Sequence, residues 1–366
     1  MVLSRLIITN LRNISHSEIE LSPSLNLVIG QNGSGKTSLL EAVHYLATAR
    51  SFRSSQISPL VRFGKSETVV FGVIRDDNGL ETRVGVSRSL VGKREIRVNG
   101  ESLSKSSDLA RLLPVLVLGP DTVDLLLGPP QLRRKFLNWG VFHVKPDFVD
   151  QWDIANRCLK QRNRLLKNPY EKEELQVWTD RLTESAQIID LQRNEYFEEF
   201  SILFLQLVEE LTDFGTRVAL EYYRGWDKEL DLADIYRKNL ANDQRRGFTH
   251  HGFQKADIRL LIEGRPAIEV CSRGELKMLA WAMVLTQGKM QSKQTGHNVL
   301  YLVDDLISEL DSDHRRLLCR SLIKMEGQIL STGINQIELE VSWNYELANM
   351  FHVKQGVLSA FPGTLE

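Results

Sequence analysis

Cysteine is scarce. The three present, Cys158, Cys271 and Cys319, are far apart and odd in number, which excludes a disulfide framework and gives no metal-ligand spacing. A reducing, cytoplasmic setting is expected. Charge of one sign is missing as well: 46 Lys+Arg stand against 47 Asp+Glu, for a formal net charge of -1. No global field draws the chain onto nucleic acid or anionic lipid, so any such partner must be met by a local patch. Long hydrophobic runs are also lacking. The run Leu6-Ile7-Ile8 is too short for a signal-peptide core, and the stretch from Pro114 to Pro120 stops at Asp121, well short of the roughly 18 apolar residues of a membrane span. A soluble chain without an export signal or membrane partner is expected. Internal repeats and low-complexity tracts are absent.

What is there is an ordinary globular composition. The 366 residues are 42% hydrophobic and 25% charged, enough for a sizeable core and for about two domains or one bilobed one. Val2 to Ile29 reads as short strands ending in the buried run Leu25 to Ile29. Leu39, Leu40, Val43, Leu46 and Ala47 then recur at helical spacing between Thr37 and Ala49. Val69 to Ile74, Leu80 to Val86 and Glu95 to Val98 read as strands of an antiparallel layer, and Pro114 to Leu118 as one more. Pro129-Pro130 opens a helix. From Lys145 to about Gly215 the pattern is helical, broken at Asn168-Pro169, which predicts an antiparallel helical arm inserted into an α/β body. Strand signals return at Ile258 to Ile262 and Ala267 to Val270, then a helix from about Gly274 to Met290 and the apolar strand Val299 to Val303. The expected divisions are 1–130, a helical lobe over 131–255, and 256–366.

Three marks carry chemistry. The first is Gly30-Gln31-Asn32-Gly33-Ser34-Gly35-Lys36-Thr37, between a strand and a helix. It matches the phosphate-binding loop, whose glycines let backbone N–H groups curl around the β- and γ-phosphates in front of a helix N-terminus. Lys36 adds a mobile charge and the Thr37 hydroxyl can ligate magnesium. The second is Asp304-Asp305 at the end of an apolar run. Asp304 is the metal-side candidate, and Asp305 would orient or deprotonate an attacking water. Solvated carboxylates at a strand end are the alternative. The third is Cys271-Ser272-Arg273-Gly274-Glu275, where Ser272 and the Gly274 backbone could form a second anion-binding helix start or simply cap the helix.

Taken in order, with Ser308-Glu309-Leu310-Asp311 following Asp304-Asp305, these marks resemble an ABC-type head ATPase, and more specifically the bacterial RecF family. The resemblance runs over nearly the whole chain, including the helix from Arg133 to His143 and the stretch from Lys160 to Lys167. It implies an α/β fold: an ABC-type P-loop ATPase head with a mixed sheet, an antiparallel β layer and an inserted helical lobe. Residues 1–130 and 256–366 would then form the ATPase lobe, and 131–255 the helical one. It further implies ATP and magnesium as ligands, with the nucleotide on residues 30–37 and Gly274, the metal on Thr37 and Asp304, and catalysis by Lys36, Asp305 and Ser272. Two copies would close face to face on ATP, Ser272 and Gly274 of each completing the γ-phosphate shell of the other. Such a dimer would bind single-stranded, gapped and duplex DNA and hydrolyse ATP slowly under DNA stimulation. With RecO and RecR it would load RecA in recombinational repair and SOS induction.

Some positions depart from the family pattern. Asn138 stands where the family usually has aspartate. Asp305 replaces the glutamate of many ABC ATPases. No histidine switch follows the strand at Gln328 to Ser331, which leaves Ser331 or Thr332 as the polar candidate; Gln56 is the candidate glutamine sensor. Arg50, Arg53 and the cluster Arg157, Lys160, Arg162, Arg164 and Lys167 are either a phosphate-contacting patch or a solvated face. His44, His143 and His250-His251 read as structural, and Tyr196, Phe197, Phe200 and Phe204 as packing within the arm. Two rival readings are a transporter's nucleotide-binding subunit, coupled to a membrane partner, and a nucleotide-gated scaffold that does not hydrolyse.

Overall fold

A computed structural model describes residues 1–168, 171–212, 214, 217–306, 310–343 and 348–360. Its strands in chain order are β1 (Val2–Leu11), β2 (Ile14–Glu20), β3 (Leu25–Ile29), β4 (Glu67–Arg75), β5 (Glu81–Ser89), β6 (Arg94–Val98), β7 (Glu101–Ser102) and β8 (Val115–Leu118). There follow β9 (Val218–Tyr223), β10 (Asp257–Ile262), β11 (Arg265–Pro266), β12 (Leu300–Val303), β13 (Gln328–Gly333), β14 (Ala348–Lys354) and β15 (Val357–Ala360). Two compact units result, one from Met1–Thr122 and Gln291–Glu366, the other from Val123–Met290.

The first unit holds two six-stranded sheets, ordered β2-β1-β4-β5-β6-β7 and β15-β14-β3-β13-β12-β8. All pairings in the first sheet are antiparallel. In the second, β14, β3, β13, β12 and β8 run parallel and β15 turns back antiparallel. Parallel strands covered on both faces must be apolar throughout, and every residue of β3, β12 and β13 is buried. The helix Lys36–Thr48 inserts Leu39, Leu40, Val43 and Leu46 into a core shared with Leu3, Leu6 and Val84 of the antiparallel sheet and Val28, Leu302 and Leu330 of the mixed one. Each such side chain contributes about 1.5–3 kcal/mol of burial. Buried Gln328 links the sheets: its amide exchanges two 2.8 Å hydrogen bonds with the Leu3 backbone.

Strand order fixes the site. β13 lies between β3, which feeds the glycine-rich loop, and β12, which ends at Val303 just before Asp304. Three C-terminal strand ends thus meet at one rim, where open α/β sheets bind ligands.

The second unit carries the helices Pro130–Val144, Phe148–Leu165 and Lys172–Leu211 and the antiparallel sheet β11-β10-β9. The last of these helices has 40 residues, a length of about 60 Å. It runs back along Phe148–Leu165, with Thr179 beside Arg162 and Leu175 packed on Leu165. Tyr196, Phe200 and Phe204 stack inward as expected, at centroid spacings of 5.9 and 6.1 Å. Of the expected break, Asn168 ends the described stretch and Pro169 lies outside the described residues, as does Gly215, the expected end of the helical pattern.

Two expectations differ from the observed fold. The units meet at 122/123 and 290/291 rather than at 130/131 and 255/256, because β10 pairs along its whole length with β9 and keeps residues 257–290 with the helical segment. Ala267 to Val270 forms a helical turn, not a strand. The hairpin turn at Glu263-Gly264 brings back only Arg265 and Pro266; proline lacks the N–H to extend the ladder and its φ suits a helix start.

Candidate functional site

The loop from Gly30 to Thr37 owes its shape to steric facts. A Cβ on Gly30 would lie 2.5 Å from both Ser34 Oγ and the Val353 carbonyl, and Gly35 has φ +121, a conformation side chains rarely adopt. The helix that follows starts at Lys36 with no side-chain cap and no acid in its first turn. Its first N–H groups and the positive end of its dipole are left for an anion. The loop is buttressed from outside by the Asn13 amide, which donates to the Gly33 and Ser34 carbonyls at 3.3 and 3.1 Å. The Gly356 N–H donates to the Ser34 carbonyl at 2.7 Å.

Lys36 is buried and folds back, its ammonium donating to the Gly30 carbonyl at 2.7 Å and the Gln31 carbonyl at 3.2 Å. Burial holds its pKa below the usual lysine value, against the pull of Asp305 and Asp304. Thr37 donates to both Asp304 oxygens, at 3.1 and 2.9 Å. Asp304 also accepts from Thr332 Oγ1 at 2.8 Å, and that hydroxyl accepts from the Asp305 N–H at 3.0 Å. Burial raises the Asp304 pKa, opposed by its hydrogen bonds to Thr332 and Thr37. The carboxylate is thus short of positive charge, and an adjacent hydroxyl and carboxylate are hard-oxygen donors suited to magnesium. Asp305 has φ +49, a left-handed turn that costs a non-glycine residue about 1–2 kcal/mol. The Thr332 hydrogen bond holds that turn.

Lys36, Thr37, Asp304 and Asp305, with Asn32, Gly33 and Gly35, line one cleft of about 1110 Å³. Its other walls hold residues that motif reading missed. Arg12, between β1 and β2, clamps the fully buried Glu41 carboxylate through two 2.7 Å hydrogen bonds. Arg53 reaches the same carboxylate at 3.7 Å. A lone acid among Leu40, Ala42 and Val43 was the available signal. Asn13, Arg62 and Phe63 also line the cleft.

Of the two switch candidates, Thr332 makes the contacts to Asp304 and Asp305, while the Ser331 hydroxyl is buried with no hydrogen-bond partner among the described residues. Gln56 is exposed and does not line the cleft. Ser308 and Glu309 lie outside the described residues.

In the second unit, Ser272 opens the helix Arg273–Thr295 with a reciprocal cap. Its N–H donates to Glu275 Oε2 at 2.7 Å and its Oγ accepts from the Glu275 N–H at 3.3 Å. Ser272 and Gly274 are exposed, with open space around Gly274. Capping is therefore met, and the helix start stays accessible. The expected basic patch loses a member. Arg162 is fully buried and donates to Asp243 at 2.9 Å and to Thr249, because its inward helix face meets that carboxylate. Arg157, Lys160, Arg164 and Lys167 remain exposed. Asn138 accepts two hydrogen bonds, 3.0 and 2.8 Å, from the fully buried Arg193 guanidinium.

Known proteins share this arrangement of elements. The family described as RecF/RecN/SMC N terminal domain matches residues 2–359. The chain is 39% identical over 358 residues to a DNA replication and repair protein RecF of Pseudomonas syringae pv. syringae, and 38% identical over the same length to one of Pseudomonas putida, each covering 97% of both chains. A solved structure of the recombination mediator protein RecF with ATP, in the RecFOR pathway, superposes with a TM-score of 0.84 at 24% identity over 98% of this chain and 97% of that one. An Smc head bound to the C-winged helix domain of ScpA shares the fold at a TM-score of 0.60, 14% identity, over 100% and 98% of the two chains. Among the described residues no helix is long and apolar enough to cross a membrane.

Proposed function

This chain belongs to the RecF family within the wider RecF/RecN/SMC group, and on that premise we propose that it is an ATP-dependent, DNA-binding ATPase of replication and repair. The observation that carries the reading is the convergence of Lys36, Thr37, Asp304, Asp305 and Thr332 at an uncapped helix start. A triphosphate seated there takes the loop N–H groups of residues 30–37, and Lys36 swings from the Gly30 carbonyl to the β- and γ-phosphates. Thr37 and Asp304 are the residues that hold magnesium, which when bound supplies charge neutralisation at the phosphates. Asp305, set by its left-handed turn, orients a water toward the γ-phosphorus and takes its proton. Being one methylene shorter than glutamate, it suits slow, DNA-stimulated hydrolysis used as a timer.

Ser272 and Gly274 act across a dimer. Their exposed helix start gives a second copy's γ-phosphate a set of N–H donors, so two copies close on two nucleotides. Closure brings together the exposed Arg157, Lys160, Arg164 and Lys167 of each copy as a surface for the phosphates of single-stranded, gapped or duplex DNA. In the cytoplasm the clamp works with RecO and RecR to load RecA during recombinational repair and SOS induction. DNA binding is measured with and without ATP for wild type, Lys36→Met and Ser272→Arg. Both variants are expected to lose the ATP-dependent increment, and its survival in both refutes the mechanism.

A further inference from the structure

At about 1110 Å³ the cleft sits at the top of the range of small-ligand sites, and its lining extends beyond the loop, Asp304 and Asp305. The apolar side chains of its lining are Pro59, Val61 and Phe63. Phe63 is anomalous. Its ring is fully exposed, although a phenylalanine ordinarily buries 150–250 Å² on folding.

The exposure is not that of a loose loop. The Arg62 N–H donates to the Asn10 carbonyl at 2.9 Å, the Lys65 N–H closes the turn onto the Arg62 carbonyl at 3.0 Å, and the Leu90 N–H holds the Ser66 carbonyl at 2.9 Å. Leu11 bridges to Val61 just before the turn, and Gly64 takes φ +77 within it. The backbone on both sides of Phe63 is tied to β1 and to the β5–β6 hairpin, while the ring is left bare at the rim. A tight turn that fixes a naked aromatic beside a phosphate site has the form of a stacking platform, since every base offers a π-face.

We propose that Phe63 is the base platform of this cleft, the ring on which the purine of the nucleotide stacks while Lys36 and Thr37 hold its phosphates. The proposal rests on the assignment of the cleft to ATP made above and adds the residue that separates a nucleotide from a bare polyphosphate. Arg62 supports the platform: its guanidinium donates to the Asn13 carbonyl and so ties the turn to the residue that buttresses the phosphate loop.

The test titrates the full chain, in magnesium, with ATP and separately with inorganic tripolyphosphate, by calorimetry. Phe63→Ala is expected to weaken ATP by about 5- to 140-fold, the span of one aromatic–base stack, and to leave tripolyphosphate unchanged. Phe63→Trp is expected to restore ATP affinity, and its added indole to be quenched by ATP but not by tripolyphosphate, above the baseline of the six native tryptophans. Unchanged ATP affinity in Phe63→Ala overturns the platform while leaving the cleft's assignment standing. An equal loss of both ligands that Phe63→Trp does not reverse overturns it too, by showing that only the turn was damaged. A wild-type chain that binds neither ligand overturns the assignment of the cleft and the platform with it.

Discussion

Thr332 offers a sharp test because one buried hydroxyl serves two acidic residues at once. Thr332→Val keeps the shape and removes the hydroxyl, leaving the Asp305 N–H and one Asp304 oxygen without the partners they have at 3.0 and 2.8 Å. The first loss is an ordinary hydrogen bond, about 1 kcal/mol, and the second is charge-assisted, about 1.5–3 kcal/mol. Summed, stability should fall by about 2.5–4 kcal/mol, a large share of the 5–15 kcal/mol typical of a domain. The functional effect has a definite sign. Thr332 is the first of the hydrogen bonds that pull the Asp304 pKa down against burial, so its loss makes the carboxyl hold its proton more firmly and bind magnesium less well. Asp305 also loses the contact that fixes its left-handed turn. Urea denaturation and magnesium-dependent ATP hydrolysis, on the Val variant and on Thr332→Ser as the hydroxyl-retaining control, read out both effects. A Val variant with wild-type stability and hydrolysis refutes the reasoning.

Other positions give equally definite expectations. Asn138→Asp places a carboxylate against the buried Arg193 fork and should raise the urea midpoint, whereas Asn138→Ala leaves that guanidinium without its bidentate acceptor and should cost about 3–5 kcal/mol. Glu41→Gln removes the charge that Arg12 grips and that Arg53 approaches, with a comparable loss in thermal or urea unfolding and weaker ATP binding by calorimetry. Gly356→Ala forces a Cβ to within 2.3 Å of the Asn13 carbonyl. It should displace the Asn13 and Gly356 props of the phosphate loop, so ATP affinity falls more than unfolding stability does.

Chemistry coded within a few consecutive residues was readable from the sequence. The glycine-rich turn at residues 30–37 and the buried strand running into Asp304-Asp305 have local signatures, and parallel strand order brings the two to one rim. What depends on register was not. Ser331 and Thr332 are both buried in β13, and sequence cannot say which of two neighbours faces Asp304 until the pairing of Ser331 with Val303 is known. Pairs distant in sequence, such as Arg12 with Glu41 and Arg162 with Asp243, were equally silent; the basic run around Arg162 read as a surface until the helix put that one residue inward. The boundary of the helical unit was misplaced for the same reason, since the β9–β10 pairing is a long-range contact. Phe63, a single aromatic in a polar loop, carried no pattern at all.

Sedimentation of the full chain with magnesium and ATP, with ADP and without nucleotide, for wild type and for Ser272→Arg, addresses most directly the idea that one nucleotide is held by two copies. ATP alone should convert wild type to a dimer, and the variant should bind ATP yet stay monomeric. A wild type that remains a monomer while saturated with ATP, or a Ser272→Arg chain that dimerises as well as wild type, contradicts it.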